Sequence, residues 1–310
     1  MVCSKKEFQR KGGCGMKRLA LLLILLCLGA GNALGEITPL PLDGAIPGYP
    51  YQESGIRSQT EYQDESIHVT IRRTSYRSVH CFVAYITIAH ASQLRTAMSN
   101  DSYSSGKILS AKKLMKKYNP VIAMNGDFFK MQDYGYLVRQ GTLYRDRPDG
   151  KRDILLIDDQ GDFYALQNGT LEDVQQLEGE LQARGRSFYN TFNFGPVLVK
   201  DGEALEIKTA KYSSWSRHMR VAIAQLGPLE YAIFHCYGVG DTSKEGMTLQ
   251  TFANFIAQEE PRVKLAYNMD GGGSAHVVFL GKQLHENHNP RYISDILYFA
   301  SAVAPAGEGE

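Results

Sequence analysis

Short apolar segments that alternate with turn residues are the feature that most restricts the fold of this chain. They are rich in β-branched and aromatic residues, which is typical of buried strands, and lie at 67–71, 79–89, 121–124, 154–157, 197–199, 221–224, 229–239, 263–269, 276–280 and 296–299. Two other stretches, 110–118 and 248–258, space their apolar residues at helical intervals. Because helices interrupt the strands too rarely for a regular βαβ repeat, the sequence predicts an α+β fold. We expect a single domain with a mixed, strand-rich sheet and helices packed on it.

The first 35 residues have the organisation of a secretory signal peptide. Lys17 and Arg18 precede an apolar run at 19–30, and small residues follow at 31–35. The run is shorter than the roughly 20 residues of a membrane-spanning helix, and an uncleaved membrane anchor is the alternative. The sequence therefore predicts an exported protein, periplasmic or secreted, with no stable membrane span after cleavage.

Proline content and cysteine positions divide the rest of the chain. Four of the 11 prolines lie between Thr38 and Tyr51, which predicts an extended leader at 36–65, a folded domain at 66–301 and a disordered tail at 302–310. After the signal the chain has two cysteines, Cys81 and Cys236, both in predicted buried strands. The sequence leaves open whether they form one disulfide or remain two unpaired core thiols.

Charge is distributed unevenly along the 310 residues. Residues 1–35 hold six of the 34 Lys and Arg residues but one of the 33 Asp and Glu residues, so the remainder has a net negative charge. Proteins that bind nucleic acid or anionic membranes through charge carry a basic excess. The composition therefore argues against a nucleic-acid partner.

Three consecutive glycines follow one predicted strand and precede another, within the segment 268–274 (N-M-D-G-G-G-S). Without side chains, the backbone N–H groups of such a loop can approach a ligand closely and form an anion-binding nest. Asp270 and Ser274 add a carboxylate and a hydroxyl to the same loop. The pattern favours a functional loop, and a plain glycine turn is the alternative.

Two further segments combine polar groups with strand ends. The segment 125–129 (N-G-D-F-F) suits a carbohydrate pocket, because aromatic rings commonly cover sugar faces; the alternative is a turn whose two rings enter the core. His218 and Arg220 precede another strand and supply an imidazole and a cation that can hold a phosphate, although either could be a solvated surface group.

In this order, four segments resemble the phosphodiester glycosidase family, over roughly Val121 to Phe299. They are similar to its N-G-G-F-F, G-P-x-L-x-x-x-G, H-P-R-T-A-I-G and N-x-D-G-G-G-S motifs and lie at 123–129, 194–202, 218–224 and 268–274. Weaker similarity is present at 244–249 and 287–291. Three positions depart from the family pattern, with Asp127 in place of the second Gly, Met219 in place of Pro, and Ala224 in place of the last Gly.

The resemblance implies hydrolysis of a sugar-1-phosphodiester at the anomeric C–O bond, giving a free sugar and a phosphomonoester. Glycosidases normally use two carboxylates. A phosphomonoester has a second pKa of about 6 and leaves without a strong general acid, so one carboxylate can suffice. On this basis Asp270 is the expected nucleophile or base, Arg220 is expected to hold the phosphate, and Glu245 is the reserve general acid.

The same resemblance implies a substrate-binding set on the motif segments. Its members are Asn125, Gly126, Asp127, Phe129, His218, Asn268, Gly271, Gly272, Gly273 and Ser274. No cofactor is demanded; a divalent cation bridging Asp270 and the phosphate is compatible with the sequence, which does not specify metal ligands.

Two alternative functions remain open at this point. One is a non-catalytic exported protein that binds or assembles exopolysaccharide, since bacterial members of the family are often linked to such polymers. The other is a phosphodiesterase that cuts the P–O bond with much the same residues.

Overall fold

Strands make up most of the fold. The computed structural model describes residues 37–42, 46–208, 213–238 and 246–305. Within them the strands are β1 (Ile56–Ser58), β2 (Glu61–Gln63), β3 (Ile67–Tyr76), β4 (Val79–Ile88), β5 (Leu94–Met98), β6 (Leu109–Ser110), β7 (Ile122–Asn125), β8 (Gly135–Arg139), β9 (Thr142–Arg147), β10 (Ile154–Asp158), β11 (Phe163–Leu166), β12 (Phe188–Phe192), β13 (Val197–Lys200), β14 (Glu203–Ala204), β15 (Arg220–Gly227), β16 (Glu230–Tyr237), β17 (Leu265–Asn268), β18 (Val277–Phe279), β19 (Lys282–Gln283), β20 (Tyr292–Ile293) and β21 (Asp295–Phe299).

Each of the three α-helices in these residues begins at a side-chain cap. They are α1 (Ala111–Tyr118), α2 (Leu171–Gln182) and α3 (Leu249–Glu259). The side chains of Ser110, Thr170 and Thr248 accept backbone N–H groups of the first turns, which otherwise have no partner within a helix. Helices α1 and α3 were predicted from their apolar spacing, whereas α2 was not.

The strands form several sheets, and every pairing between the named strands is antiparallel. A nine-stranded sheet has the order β1-β2-β3-β4-β16-β15-β17-β13-β14, and a five-stranded sheet has the order β19-β18-β7-β21-β5. Smaller sheets are β11-β10-β12, β20-β6 and β8-β9. The strand-rich α+β class is confirmed, but the strands are divided among antiparallel sheets and do not form one mixed sheet. Parallel neighbours need long crossover connections, for which this chain has few helices.

The two large sheets pack face to face, with a helix on the outer face of each. Alternate residues of their strands, such as Ile223 of β15 and Met124 of β7, share the largest apolar cluster. On the outer face of the nine-stranded sheet, Phe252 of α3 belongs to a second cluster. On the outer face of the five-stranded sheet, Leu114 of α1 belongs to a third. The fold therefore has four layers, helix, sheet, sheet and helix, and the largest core lies between the two sheets. Such layering is expected when both faces of a sheet are apolar.

Part of the predicted leader at 36–65 belongs to the folded structure. Strands β1 and β2 lie within the predicted leader, yet they extend the nine-stranded sheet, and Tyr62 of β2 is fully buried. The predicted signal at 1–35 and residues 306–310 of the predicted tail lie outside the described residues. In the described part of the chain, no helix has the length and apolar character needed to cross a bilayer. The described residues belong to one compact unit, and the domain boundaries remain a prediction.

Both remaining cysteines are unpaired. Cys81 of β4 and Cys236 of β16 are register partners on neighbouring strands, and both are buried free thiols. Of the two possibilities that the sequence leaves open, the structure has the pair of core thiols.

Candidate active site

Two loops that follow β7 and β17 meet where the facing sheets are joined. The segment 269–276 crosses from β17 in the nine-stranded sheet to β18, which pairs with β7 in the five-stranded sheet. Asn125, at the end of β7, donates from Nδ2 to the Asp270 carbonyl oxygen at 2.9 Å and accepts the His276 N–H on Oδ1 at 3.0 Å. Asn125 is buried, so its amide connects the two loops and positions Asp270.

Asp270 lies in a narrow cleft between these loops. The cleft is lined by Asn125, Gly126, Phe128, Asp270 and residues 293–295. Asp270 is 8% exposed, and burial raises the pKa of its carboxyl group above the ordinary value for aspartate. The Ser274 hydroxyl and the Arg291 guanidinium act in the opposite direction and favour the ionised carboxylate. The site thus holds a largely buried carboxylate, Asp270, in the lining of this cleft.

Arg291 is the cation that the structure places beside Asp270. Its Nη2 atom is 3.8 Å from Asp270 Oδ1 and donates to the Gly271 carbonyl oxygen at 2.9 Å. The side chain is 54% exposed, so the guanidinium, with five N–H donors, is accessible to an anion beside Asp270. Arg291 had no predicted role, although it lies in the segment 287–291, which has weak family similarity.

Arg220 is buried and holds backbone carbonyls. Its Nε donates to Met247 O at 3.0 Å, and its Nη2 donates to Ser213 O and Ser216 O at 2.8 Å each. Burial lowers the pKa of this guanidinium to about 10. The expected phosphate contact of Arg220 is corrected accordingly. These hydrogen bonds direct its donors to the protein, while Arg291 occupies the position next to Asp270.

Close backbone contacts account for the three glycines. A Cβ atom on Gly271 would lie 2.7 Å from Met219 O, and one on Gly273 would lie 2.4 Å from Asn289 O. Gly272 has φ +58°, a conformation that favours glycine, and its N–H donates to Met219 O at 2.8 Å. The expected nest of three free amides is corrected for Gly272, whose amide already has a protein acceptor.

Asp127 belongs to a buried ionic network. Arg139 Nη2 donates to Asp127 Oδ1 at 3.0 Å and to Asp295 Oδ2 at 2.6 Å. The second oxygen of Asp127 accepts the Asn193 N–H at 2.8 Å. Asp127 is 1% exposed, and a buried carboxylate requires a cation and hydrogen-bond donors. The predicted substrate contact of Asp127 is therefore corrected to a structural role.

Asp295 is a functional candidate that the sequence did not single out. It is fully buried, yet it lines the same cleft as Asp270. Its Oδ1 atom has no hydrogen-bond partner within the described residues. Burial raises the pKa of Asp295 to about 6, and the nearby Asp127 carboxylate adds to the shift, while Arg139 opposes it. A Cβ on Gly126 would lie 2.1 Å from this free oxygen, so glycine at this position admits the Asp295 side chain.

The two phenylalanines after Asp127 have different surroundings. Phe129 is 2% exposed and stacks on Tyr103 with ring centroids 6.0 Å apart. Phe128 is half-buried, has φ +67° and lines the cleft. The predicted ligand contact of Phe129 is corrected, because its ring is enclosed in the core. Phe128 is the residue of the pair that a ligand could reach.

The other predicted site residues take supporting positions or lie outside the described chain. Asn268 is fully buried and donates from Nδ2 to Gly195 O at 2.7 Å, which links the glycine loop to the F-G-P segment. The backbone of His218 pairs with that of Met247. Glu245, the predicted reserve acid, lies outside the described residues.

Three histidines are clustered behind the glycine loop. His235, His276 and His285 are all buried, and the rings of His235 and His285 have centroids 4.1 Å apart. Burial lowers the pKa of His276 and of His285 to about 4 and that of His235 well below its usual value. Among the residues that the structure describes, no group of three or more His, Cys, Asp or Glu side chains is arranged to hold a metal ion.

The sequence profile of the phosphodiester glycosidase family matches residues 118–300, which contain both loops of the candidate site and Arg291. The chain belongs to the phosphodiester glycosidase family. Members of this family are glycosidase-type hydrolases, and the resemblance of the four motif segments is thereby confirmed. No curated protein matches the chain significantly.

Solved structures share the phosphodiester glycosidase fold of this chain. The catalytic domain of zebrafish N-acetylglucosamine-1-phosphodiester alpha-N-acetylglucosaminidase, auto-inhibited by its pro-peptide, is 18% identical with a TM-score of 0.59, covering 82% of this chain and 87% of that chain. A hypothetical protein from Synechocystis is 14% identical with a TM-score of 0.54, covering 78% of this chain and 64% of that chain. At these identities the likeness concerns the fold.

Proposed function

We propose that this protein is an exported hydrolase that cleaves a sugar-1-phosphodiester at the anomeric C–O bond. Its products are a free sugar and a phosphomonoester, and its substrate is a cell-surface or extracellular glycan. The observation that carries the proposal is the pairing of a buried carboxylate, Asp270, with an accessible guanidinium, Arg291, 3.8 Å away at a cleft. Family membership supports the reaction class.

Asp270 is suited to act at the anomeric carbon in its ionised form. As nucleophile it would attack the sugar directly, and as general base it would take a proton from the attacking water. The low-dielectric cleft strengthens its interaction with the positive charge that develops on the sugar ring. Ser274 and Arg291 favour the ionised state that either role requires.

Arg291 is suited to hold the phosphate as it leaves. The distance of 3.8 Å to Asp270 is too long for a good hydrogen bond, so the guanidinium retains donors for a phosphate oxygen. A guanidinium can bind phosphate through two parallel hydrogen bonds. Because the departing phosphomonoester has a second pKa of about 6, this charge stabilisation can replace a strong general acid. Glu245 remains the proposed donor if a proton is needed.

Replacement of Asp270 by Asn tests the assignment. We expect kcat/KM for methyl diesters of sugar 1-phosphates, N-acetylglucosamine included, to fall by about 10³-fold or more, because the amide is neither nucleophile nor base. Circular dichroism and the melting temperature should show a folded protein.

The matched control is Asp158→Asn, which makes the same change at a fully buried aspartate that pairs with Arg186 outside the cleft. Its activity per folded molecule should stay close to that of the wild type. Full activity in Asp270→Asn would contradict the assignment.

A further inference from the structure

Trp215 is a large aromatic side chain that the fold leaves exposed. It is the one tryptophan of the 310-residue sequence, and it is 62% exposed. Tryptophan is usually largely buried, and an exposed ring with a polar N–H is typical of binding surfaces. Trp215 lies in none of the apolar clusters of the described residues, so core packing does not explain it.

The backbone around Trp215 is held firmly although its ring is exposed. Arg220 Nη2 donates to the carbonyl oxygens of Ser213 and Ser216, on the two sides of Trp215. The Leu249 N–H, at the start of α3, donates to Ser214 O at 2.9 Å. These hydrogen bonds fix the loop, so the ring projects from an ordered backbone.

The same arginine connects this loop to the catalytic loop. Arg220 Cδ lies 3.7 Å from the position that a Cβ on Gly271 would occupy, and Gly271 directly follows Asp270. The residue before Arg220 is also joined to the loop, because Met219 O accepts the Gly272 N–H at 2.8 Å. One arginine side chain therefore spans the separation between the Trp215 loop and the glycine loop.

We propose that Trp215 is a substrate-binding residue whose indole ring stacks on a pyranose ring of the glycan substrate. This inference rests on the proposed function and extends it from the reacting atoms to the sugar. Asp270 and Arg291 account for the anomeric carbon and the phosphate, whereas an aromatic face covers the apolar C–H face of a sugar ring. A ring held on a fixed loop loses little conformational freedom on binding, and its N–H can donate to a hydroxyl.

Intrinsic fluorescence reports on this contact directly, because all tryptophan emission of the chain comes from Trp215. The full-length Asp270→Asn variant, which should not turn substrate over, is titrated with methyl diesters of glucose, galactose, mannose and N-acetylglucosamine 1-phosphate. We expect a saturable change in emission with at least one sugar diester. Dimethyl phosphate, which has the diester but no sugar, should leave the emission unchanged.

Steady-state kinetics give a second readout. We expect Trp215→Ala to raise KM about 10-fold while kcat stays within about 3-fold of the wild-type value. This result is expected because stacking on the sugar would stabilise the bound substrate and the transition state equally. Trp215→Phe, which keeps an aromatic face, should retain most of the affinity. The control is Ile56→Ala, which removes another exposed apolar side chain, on edge strand β1.

The outcomes separate this inference from the proposed function. If wild type hydrolyses a sugar diester, but neither the emission nor the KM of Trp215→Ala changes, the role of Trp215 is overturned and the function stands. If no diester is hydrolysed, the proposed function fails. The titration then still decides on Trp215, since saturable emission changes with the sugar diesters support its role and their absence overturns it.

Discussion

At the scale of single residues, the charge next to Asp270 sets the protonation state on which the proposed chemistry depends. Burial raises the pKa of Asp270, and the Arg291 guanidinium is among the groups that lower it. The ionised carboxylate is the active form, so kcat/KM should fall on acidification through this pKa.

We expect Arg291→Gln to move the acidic limb of the plot of kcat/KM against pH to higher pH. We also expect it to raise KM. Loss of the positive charge removes an interaction that favours the carboxylate, and the phosphate loses a donor. The conservative variant Arg291→Lys should leave the limb close to its wild-type position. A pH profile of kcat/KM for the three proteins checks this, and a limb that stays in place or moves to lower pH in Arg291→Gln would argue against the pairing.

Removal of Arg139 should destabilise the protein strongly. Arg139 is the cation that pairs with both Asp127 and Asp295, and all three side chains are nearly fully buried. Breaking a buried ion pair by removing one partner costs about 3 to 5 kcal/mol, so we expect Arg139→Met to lower the unfolding free energy in urea by about that amount. Adding Asp127→Asn and Asp295→Asn should restore much of the loss, since no buried charge is then left unpaired. If Arg139→Met is as stable as wild type, the network has no such role.

Sequence patterns identified the loops of the candidate site more accurately than the surroundings of its individual residues. The loops at 125–129 and 268–274 do meet, because both follow strands that end at the same place. Asp127 and Arg220, in contrast, were given ligand contacts that burial and pairing exclude in this structure. Their partners, Arg139 for Asp127 and the 213–216 backbone for Arg220, are fixed by the tertiary fold and carry no local sequence signal.

At the scale of secondary-structure elements, the cluster of buried histidines makes the stability of the fold depend on pH. His235 is on β16, while His276 and His285 flank β18 and β19. In the unfolded chain these imidazoles titrate near pH 6.5, whereas in the folded protein burial keeps His276 and His285 neutral down to about pH 4. Their contribution to stability is therefore present above pH 6.5 and is lost as the pH falls towards 4.

We expect His285→Gln to reduce this acid-induced loss of stability. The unfolded variant has one fewer imidazole to protonate, so its unfolding free energy should decline less between pH 6.5 and pH 4 than that of wild type. Urea unfolding at several pH values in this range measures the slope. Equal slopes in wild type and His285→Gln would contradict the assignment.

The strongly patterned elements were predictable, whereas α2 and several strands, among them β5, β8, β9, β11 and β12, were not among the predicted segments. The predicted segments with strong apolar patterns correspond to strands β3, β4, β15 and β16 and to helices α1 and α3. Helix α2 buries Val174 and Leu181, which leaves a weak apolar pattern. A capping box between Thr170 and Asp173 marks its start, and that signal could have identified it.

At the scale of the whole molecule, the glycine loop with Asp270 lies where two facing sheets are joined. Strand β17 belongs to the nine-stranded sheet and β18 to the five-stranded sheet, so the loop between them is anchored on both sides of the core. The sequence could not predict this arrangement, because the order of antiparallel strands depends on pairings far apart in the chain. Anchoring at both ends accounts for an ordered Asp270 in a glycine-rich segment, and it supports a reaction at this position.

The most direct test of that reaction is the fate of labelled oxygen. The full-length protein is incubated in ¹⁸O-labelled water with methyl diesters of sugar 1-phosphates, and early products are read by mass spectrometry beside Asp270→Asn. Free sugar incubated in parallel corrects for exchange at the anomeric oxygen. Cleavage of the anomeric C–O bond predicts label in the released sugar and none in the methyl phosphate, with no product from Asp270→Asn. Label in the methyl phosphate, or no product from any diester, would contradict the proposed glycosidase.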